Sequence, residues 1–221
     1  MEQYNNRSKA EYSLTHRSAH NRITLESEKP VYIIINSRNG SIHVGENFIS
    51  GHQQLSDNTN VYVYIEPQEK PVSTGVLENG VIEASKDNAN GTNACAAWRF
   101  ADGTTTINLR YGISFISEEQ AEKNLRSELG DYDINKLAET GRRIWNEALG
   151  RIKVEGGTEN DKTVLYSSFY RTFERPICMS EDGGLYFSAF DGKVHNDNSI
   201  HFYTAEWIWA TYRAAHPLRT L

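Results

Sequence analysis

Apolar and polar residues alternate along the first half of the chain, whereas apolar residues recur every three to four positions along the second. The change falls near Ser117. Residues 31–36 read Val-Tyr-Ile-Ile-Ile-Asn and residues 61–65 read Val-Tyr-Val-Tyr-Ile. Residues 105–116 place Ile107, Leu109, Tyr111, Ile113 and Phe115 at every second position, which predicts a half-buried strand. Arg38-Asn39-Gly40, Glu78-Asn79-Gly80, Asn90-Gly91 and Asp102-Gly103 are turn signals with the rhythm of an antiparallel sandwich. Residues 87–91 are expected to be a plain turn. Ala89 stands where a calcium loop needs an oxygen ligand, and no glutamate closes the segment.

Past Ser117 the period is helical. Ser117-Glu118-Glu119-Gln120 has the form of a capping box, Ala121, Leu125 and Leu129 follow as an apolar stripe, and Gly130 ends the helix. Asp133 then caps a run in which Ile134, Leu137, Ala138, Ile144, Trp145, Ala148 and Leu149 recur to Gly150. These two read as connecting helices. A third is predicted over residues 160–174, with Val164, Leu165, Phe169 and Phe173 on one side and Pro176 as its stop. Residues 185–190 and 193–195 predict a hairpin across Asp191-Gly192.

A last helix is predicted within residues 202–219, with Thr204 as N-cap, Glu206 in the first turn and Pro217 as stop. Helical spacing gathers Trp209, Tyr212, Arg213 and His216 on one face, while Trp207, Ala210 and Ala214 share another. Rings beside a cation suit a carbohydrate, whose flat apolar faces and hydroxyls need both. The same stripe also suits a packed core helix.

Composition narrows the partners. The 221 residues, 38% hydrophobic and 11% aromatic, suffice for one large or two small domains. A net charge of -6 disfavours nucleic acid and anionic membranes, and a neutral polar ligand fits better. Cys95 and Cys178 are far apart with no ligand-spaced companion, so both read as free thiols. No stretch has the apolar run of a signal peptide or membrane span. The sequons Asn6-Arg7-Ser8 and Asn90-Gly91-Thr92 decide nothing by pattern alone. Glu118-Glu119, Asp131 with Asp133, and Glu181-Asp182 read as helix-start, capping and turn acids. His195 and His201 read as solvated loop residues.

A series of segments in order carries a family resemblance. They are Leu14-Thr15-His16-Arg17-Ser18-Ala19-His20-Asn21-Arg22, which looks like a strand pair, and Leu109-Arg110-Tyr111-Gly112-Ile113-Ser114-Phe115-Ile116-Ser117 leading into Ala121-Glu122-Lys123-Asn124-Leu125. Trp145-Asn146, Ile152-Lys153-Val154-Glu155-Gly156-Gly157-Thr158, and Ser180-Glu181-Asp182-Gly183 with the Tyr186 to His195 hairpin follow. Tyr212-Arg213-Ala214-Ala215-His216-Pro217-Leu218 closes the series. The chain resembles glycoside hydrolase family 92, calcium-dependent exo-acting α-mannosidases with an N-terminal β-sandwich, linker helices and an (α/α)6 barrel.

The resemblance implies a multidomain β-then-α fold: a partial sandwich at 1–117, linker helices at 118–157 and the start of an (α/α)6 barrel at 158–221. It implies inverting removal of mannose from a mannose-containing glycan, with Trp209, Arg213, Glu206 and Asp182 binding substrate. The family has an acid where this chain has Ala210, and an acid is also expected at Ala205. General acid, general base and most calcium ligands are expected downstream of Leu221, so residues 1–221 alone are expected to be inactive. The chain is expected to enter the sandwich midway and to lack the leader of a periplasmic or extracellular parent. Two other readings stand beside this one: a noncatalytic carbohydrate-binding sandwich, and an amidase-type enzyme that releases N-glycans from asparagine.

Overall fold

The structure, a computed structural model, describes residues 2–3, 8–26, 30–206 and 218. Strands come first: β1 (Glu2–Gln3), β2 (Ser8–Leu14), β3 (Ser18–Leu25), β4 (Tyr32–Ser37), β5 (Gly40–Val44), β6 (Ile49–Ser56), β7 (Thr59–Pro67), β8 (Ser73–Glu78), β9 (Val81–Glu83), β10 (Asn88–Gly91), β11 (Ala94–Arg99) and β12 (Thr106–Ser114). Helices follow: α1 (Glu118–Glu128), α2 (Ile134–Leu149) and α3 (Glu159–Arg171), the last continued by a 3-10 turn at Thr172–Glu174. Short strands β13 (Ile177–Cys178), β14 (Leu185–Ser188), β15 (Lys193–Asn196) and β16 (Tyr203–Thr204) close the described part. This is the antiparallel β-sandwich followed by the start of a helical domain that the sequence pattern implies.

The larger sheet runs β1-β2-β3-β12-β7-β6-β5-β10 and the smaller β4-β11-β8-β9, each antiparallel throughout. Between them lie Ile42, Ile49, Val76, Ala96, Trp98, Phe100, Ile107 and Leu109, all buried. Strand alternation points these residues inward and exposes Tyr32 and Ile34 on the outer face of the smaller sheet. The turn after β4 crosses from one sheet to the other, since β4 pairs β11 while β5 pairs β6 and β10. Asn90-Gly91, expected in a turn, belongs instead to β10. Ala89 opposes Ile42 there and packs on the core, so a ladder partner overrides the local turn chemistry.

β12 corrects the expectation of a half-buried strand. Ile107 and Leu109 face the sandwich core, but Arg110, Gly112 and Ser114 are buried as well, on the opposite face under α1. Ala121, Leu125 and Leu129 of α1 pack there with Tyr64, Phe48 and Tyr62. The close fit depends on Gly112: a Cβ at this position would lie 2.2 Å from the Ala121 carbonyl oxygen and 2.9 Å from Leu125 Cβ.

The α1–sheet contact is also ionic. Glu66 accepts from Arg110 Nε at 3.0 Å and from Arg126 Nη1 and Nη2 at 2.7 and 2.6 Å, while Tyr132 caps the group over the Arg110 guanidinium, 4.2 Å away. Burial pushes the Glu66 carboxyl up, but Arg126 and Arg110 outweigh it and hold the group below the usual carboxylate value. On α2, Asp133 caps the helix as predicted, accepting from Asn135 and Lys136 backbone N–H groups at 3.1 and 3.0 Å. Its apolar stripe reaches the core only at its start among the described residues: Ile134 is buried and Leu137 packs on the α1 cluster, whereas Ile144 is exposed and Trp145 packs against the rings of Tyr170 and Phe173 in α3 and its 3-10 turn.

Candidate functional site

The end of β12 and the first turns of α1 organise a loop that the sequence marks at Glu181-Asp182. Ser117 caps α1 by accepting from Gln120 N at 3.1 Å. The reciprocal half of the expected capping box is absent, because the Gln120 side chain is spent elsewhere. Its Nε2 donates to the Asp182 carbonyl at 2.8 Å and to Asn124 Oδ1 at 3.0 Å. Glu181 is buried and accepts from Ser114 Oγ at 2.6 Å, Phe115 N at 2.8 Å and Asn124 Nδ2 at 2.8 Å. Asn124 Oδ1 in turn accepts from Asp182 N at 3.1 Å. The acid pair therefore divides: the Glu181 carboxylate is consumed in anchoring the loop, and the Asp182 backbone is held so that its carboxylate stays outside the network.

Beyond Asp182 the chain turns on two glycines in the left-handed region, Gly183 at φ 85 and Gly184 at φ 72. A Cβ at Gly184 would sit 2.8 Å from Asp197 Oδ1. The turn feeds the predicted hairpin of β14 and β15, which pairs Leu185 with Asn196 and Ser188 with Lys193. Asp197 N donates to Gly184 O at 2.7 Å and clamps the far end of the hairpin to the same turn.

Between this loop and the sandwich lies a cavity of about 420 Å³. Asp182, Ser180, Tyr203 and His201 line one side, and His16, Arg17 and Glu128 line the other. His16 and Arg17 occupy the tight connection between β2 and β3, the strand pair anticipated around them. Glu128 pins that connection by accepting from Thr15 Oγ1 and from Arg17 N at 2.8 Å. Arg17 is 6% exposed, donates through Nη2 to the Cys178 carbonyl and lies 5.8 Å from the Phe115 ring centre, while its Nε has no partner. Burial, then the Arg17 charge, lowers the His16 pKa, so its imidazole is neutral at pH 7. The Asp182 carboxylate lies 3.5 Å from Lys123 Nζ. A pocket with one buried cation, a carboxylate ion-paired to Lys123, a phenol and imidazoles can exchange hydrogen bonds with a polyhydroxylated ligand.

Of the residues predicted to bind substrate, Asp182 lies in this wall. Glu206 is described two residues past β16 and is not helical, and Trp209, Ala210 and Arg213 lie outside the described residues. Thr204 is not an N-cap: it pairs with Ile177 in β16, and Ala205 follows at φ 63. Strand pairing with β13 takes the backbone groups that a cap would have left for a helix.

His195 and His201 are not merely solvated. His195 Nε2 lies 2.9 Å from Asp191 Oδ2 across the hairpin turn, and His201 Nδ1 lies 3.2 Å from Asp197 Oδ2. Glu118 accepts from Ser50 Oγ at the α1 start, and Asp131 pairs with Lys136 at 2.9 Å near the α2 cap. Cys95 and Cys178 are both free. Among the described residues no group of three or more His, Cys, Asp or Glu could hold a metal ion, so they do not fit the several oxygen ligands that calcium takes. Sequence reasoning missed Arg17, His16, Gln120 and Asn124 as site-forming residues, although His16, Arg17 and Asn124 lie inside segments that carry the family resemblance and Gln120 stands in the predicted helix start between two of them.

Comparison with known proteins agrees with that resemblance. A family model described as glycosyl hydrolase family 92 N-terminal domain matches residues 3–114, and one described as glycosyl hydrolase family 92 catalytic domain matches residues 120–221. An inverting mannosidase of that family from Bacteroides thetaiotaomicron superposes on 98% of the chain with a TM-score of 0.87 at 28% identity. A second Bacteroides thetaiotaomicron structure, a family 92 α-mannosidase also solved with mannoimidazole, shares the fold at TM-score 0.85 and 22% identity over 97% of the chain. An uncharacterized secreted glycosidase from Arthroderma benhamiae is 31% identical over 102 residues, 41% of this chain. The chain spans 31% of the length of each of those two mannosidases and 13% of the length of the secreted relative.

Proposed function

The chain belongs to glycosyl hydrolase family 92, and from that premise we propose that the whole protein is an inverting exo-α-mannosidase acting on a mannose-containing glycan. The observation that carries this reading is the near end-to-end superposition on a solved inverting mannosidase at 28% identity. Inversion uses one carboxylic acid to protonate the leaving oxygen and a second carboxylate to activate water on the opposite face, about 6.5–9.5 Å away. No residue of this chain is assigned to either role. Residues 1–117 form the sandwich, 118–157 the linker helices, and 158–221 the first part of an (α/α)6 domain in this reading.

The chain's own contribution is to bind and orient sugar. Asp182, Glu206, Trp209 and Arg213 are the proposed substrate contacts, with Ala210 standing where the family has an acid. The reading makes the whole protein calcium-dependent, with ligands other than the described residues, and leaves residues 1–221 without turnover by themselves. The secreted relative supports a periplasmic or extracellular location, and no helix among the described residues is long and apolar enough to cross a membrane.

Incubating the whole protein with an α-linked mannobiose and following products by proton NMR tests the proposal. Mannose released first as the β-anomer is expected. Release of an intact glycan from a glycopeptide, without mannose, favours the amidase reading. Saturable sugar binding by residues 1–117 with no hydrolysis by the whole protein favours the noncatalytic module.

A further inference from the structure

Three Asn-Gly pairs stand on the sandwich, Asn39-Gly40, Asn79-Gly80 and Asn90-Gly91, and the fold holds them in different ways. An asparagine followed by glycine is open to attack on its side-chain amide by the next backbone nitrogen, because glycine has no Cβ to obstruct the approach. The attack needs a glycine N–H released from hydrogen bonding and a peptide unit with room to rotate. Asn39 is clamped on both sides: its N–H donates to the Thr92 carbonyl at 3.4 Å, its carbonyl accepts from Gln54 N at 3.2 Å, and Gly40 enters β5 between β6 and β10. A Cβ at Gly40 would lie 1.9 Å from the His52 carbonyl oxygen, so the backbone there has no space to turn. Asn90 and Gly91 both lie in the β10 ladder, opposite Ser41 and Gly40.

Asn79 and Gly80 instead form the whole turn of the β8–β9 hairpin, in which Glu78 pairs with Val81. Both are exposed and both adopt the left-handed region, at φ 49 and φ 80, as so tight a turn demands. Among the described residues no hydrogen bond engages the Gly80 N–H, and a Cβ built at Gly80 would meet nothing within 4 Å. We propose that Asn79 is a site of spontaneous modification, at which the folded protein deamidates through a cyclic imide as it ages. The Gly80 nitrogen bonds to Asn79 Cγ, the Cγ–Nδ2 bond breaks, and ammonia leaves with the proton that the Gly80 nitrogen gives up. Water then opens the imide at either carbonyl and yields aspartate or isoaspartate. The isoaspartate carries an extra backbone carbon through the turn and breaks the pairing of Glu78 with Val81. It also sets a new negative charge next to Glu78, whose partner is Lys86 at 2.6 Å. β9 pairs with β8 alone, so the smaller sheet loses its hold on this edge strand.

The test ages the whole protein in mildly alkaline buffer and follows the three Asn-Gly peptides by mass spectrometry, with an unaged digest as the baseline. Isoaspartate is identified by methyl transfer from S-adenosylmethionine with an isoaspartyl methyltransferase. In the folded protein Asn79 is expected to convert at least about tenfold faster than Asn39 or Asn90, because residues held in a ladder react only from locally opened states. In urea, where the ladders are gone, the three rates are expected to fall within about threefold of one another. Hydrogen exchange at the β9 amides is expected to rise in step with the isoaspartate fraction. Faster conversion at Asn39 or Asn90, similar rates for all three in the folded protein, or an Asn79 that reacts in urea and not in the folded state overturns the proposal.

Discussion

Asn124 Nδ2 donates to Glu181 Oε2 at 2.8 Å in the buried space between α1 and the loop that precedes the hairpin. The same amide holds Asp182 through Oδ1 and the Ile113 carbonyl through Nδ2 at 2.9 Å, so one side chain joins sandwich, helix and loop. Glu181→Ala removes the common acceptor and leaves the donors of Ser114, Phe115 and Asn124 unpaired in the interior. We expect a loss of about 3 kcal/mol or more in urea unfolding, because each buried donor forfeits its bond without regaining water. A cost below about 1 kcal/mol would show that water replaces the carboxylate freely, and the loop would then not depend on this lock.

Acid should weaken the protein in two stages, both with the same sign. Burial lowers the pKa of His16 and His20 from 6.5, so as pH falls through that value the unfolded chain takes up protons first and stability declines. Glu66 lies below 4.5 in the folded state, so its contribution is complete above 4.5 and is lost as pH falls towards its folded value. Glu66→Gln strips Arg110 and Arg126 of their shared carboxylate and is expected to cost about 3–5 kcal/mol at pH 7. Its stability should then depend less on pH below 4.5 than that of the wild type. Parallel profiles for the two proteins below that pH would place the acid dependence elsewhere.

Gly112→Ala tests the seat of α1. The added methyl would meet the Ala121 carbonyl oxygen at 2.2 Å, a backbone atom that can retreat only if the helix lifts from the sheet. Overpacking of this kind costs about 1–3 kcal/mol, measurable as a lowered denaturation midpoint. Because α1 carries Gln120 and Asn124, the lift should also loosen the Asp182 loop and raise hydrogen exchange at the Asp182 amide. Unchanged exchange there would disconnect the helix seat from the site.

Local chemistry explains which parts of this structure the sequence discloses. Asp133 caps α2 and Asp191-Gly192 turns the hairpin because both need only near neighbours. The two-sided burial of β12 is hidden, since Arg110, Gly112 and Ser114 read as an exposed face until α1 covers them. Thr204 is misread for a related reason: its partner Ile177 lies far back in the chain, and strand pairing wins over capping propensity. The cavity is least legible of all. Arg17 meets the carbonyl of Cys178, and Glu181 meets Ser114, across long stretches of chain, so neither pairing leaves a periodic or spaced signature. Asp182 could be singled out because the hairpin that follows it marks the loop, whereas Trp209, Ala210 and Arg213 lie outside the described residues.

Ala210 offers the most direct functional test of the family assignment. If an acid at this position bonds mannose hydroxyls, Ala210→Asp in the whole protein restores a charge-assisted hydrogen bond worth about 1.5–3 kcal/mol. That corresponds to a gain in kcat/KM on a mannoside of roughly tenfold to a hundredfold. A bond made equally to substrate and transition state lowers KM and leaves kcat alone, whereas one that tightens as the ring distorts raises kcat. Ala210→Asn keeps the shape and hydrogen-bonding oxygen without the charge, so it should recover part of the gain. Loss of activity in both variants, with folding intact by circular dichroism, would mean that the pocket has adapted to alanine and that the acid's place is taken by another group.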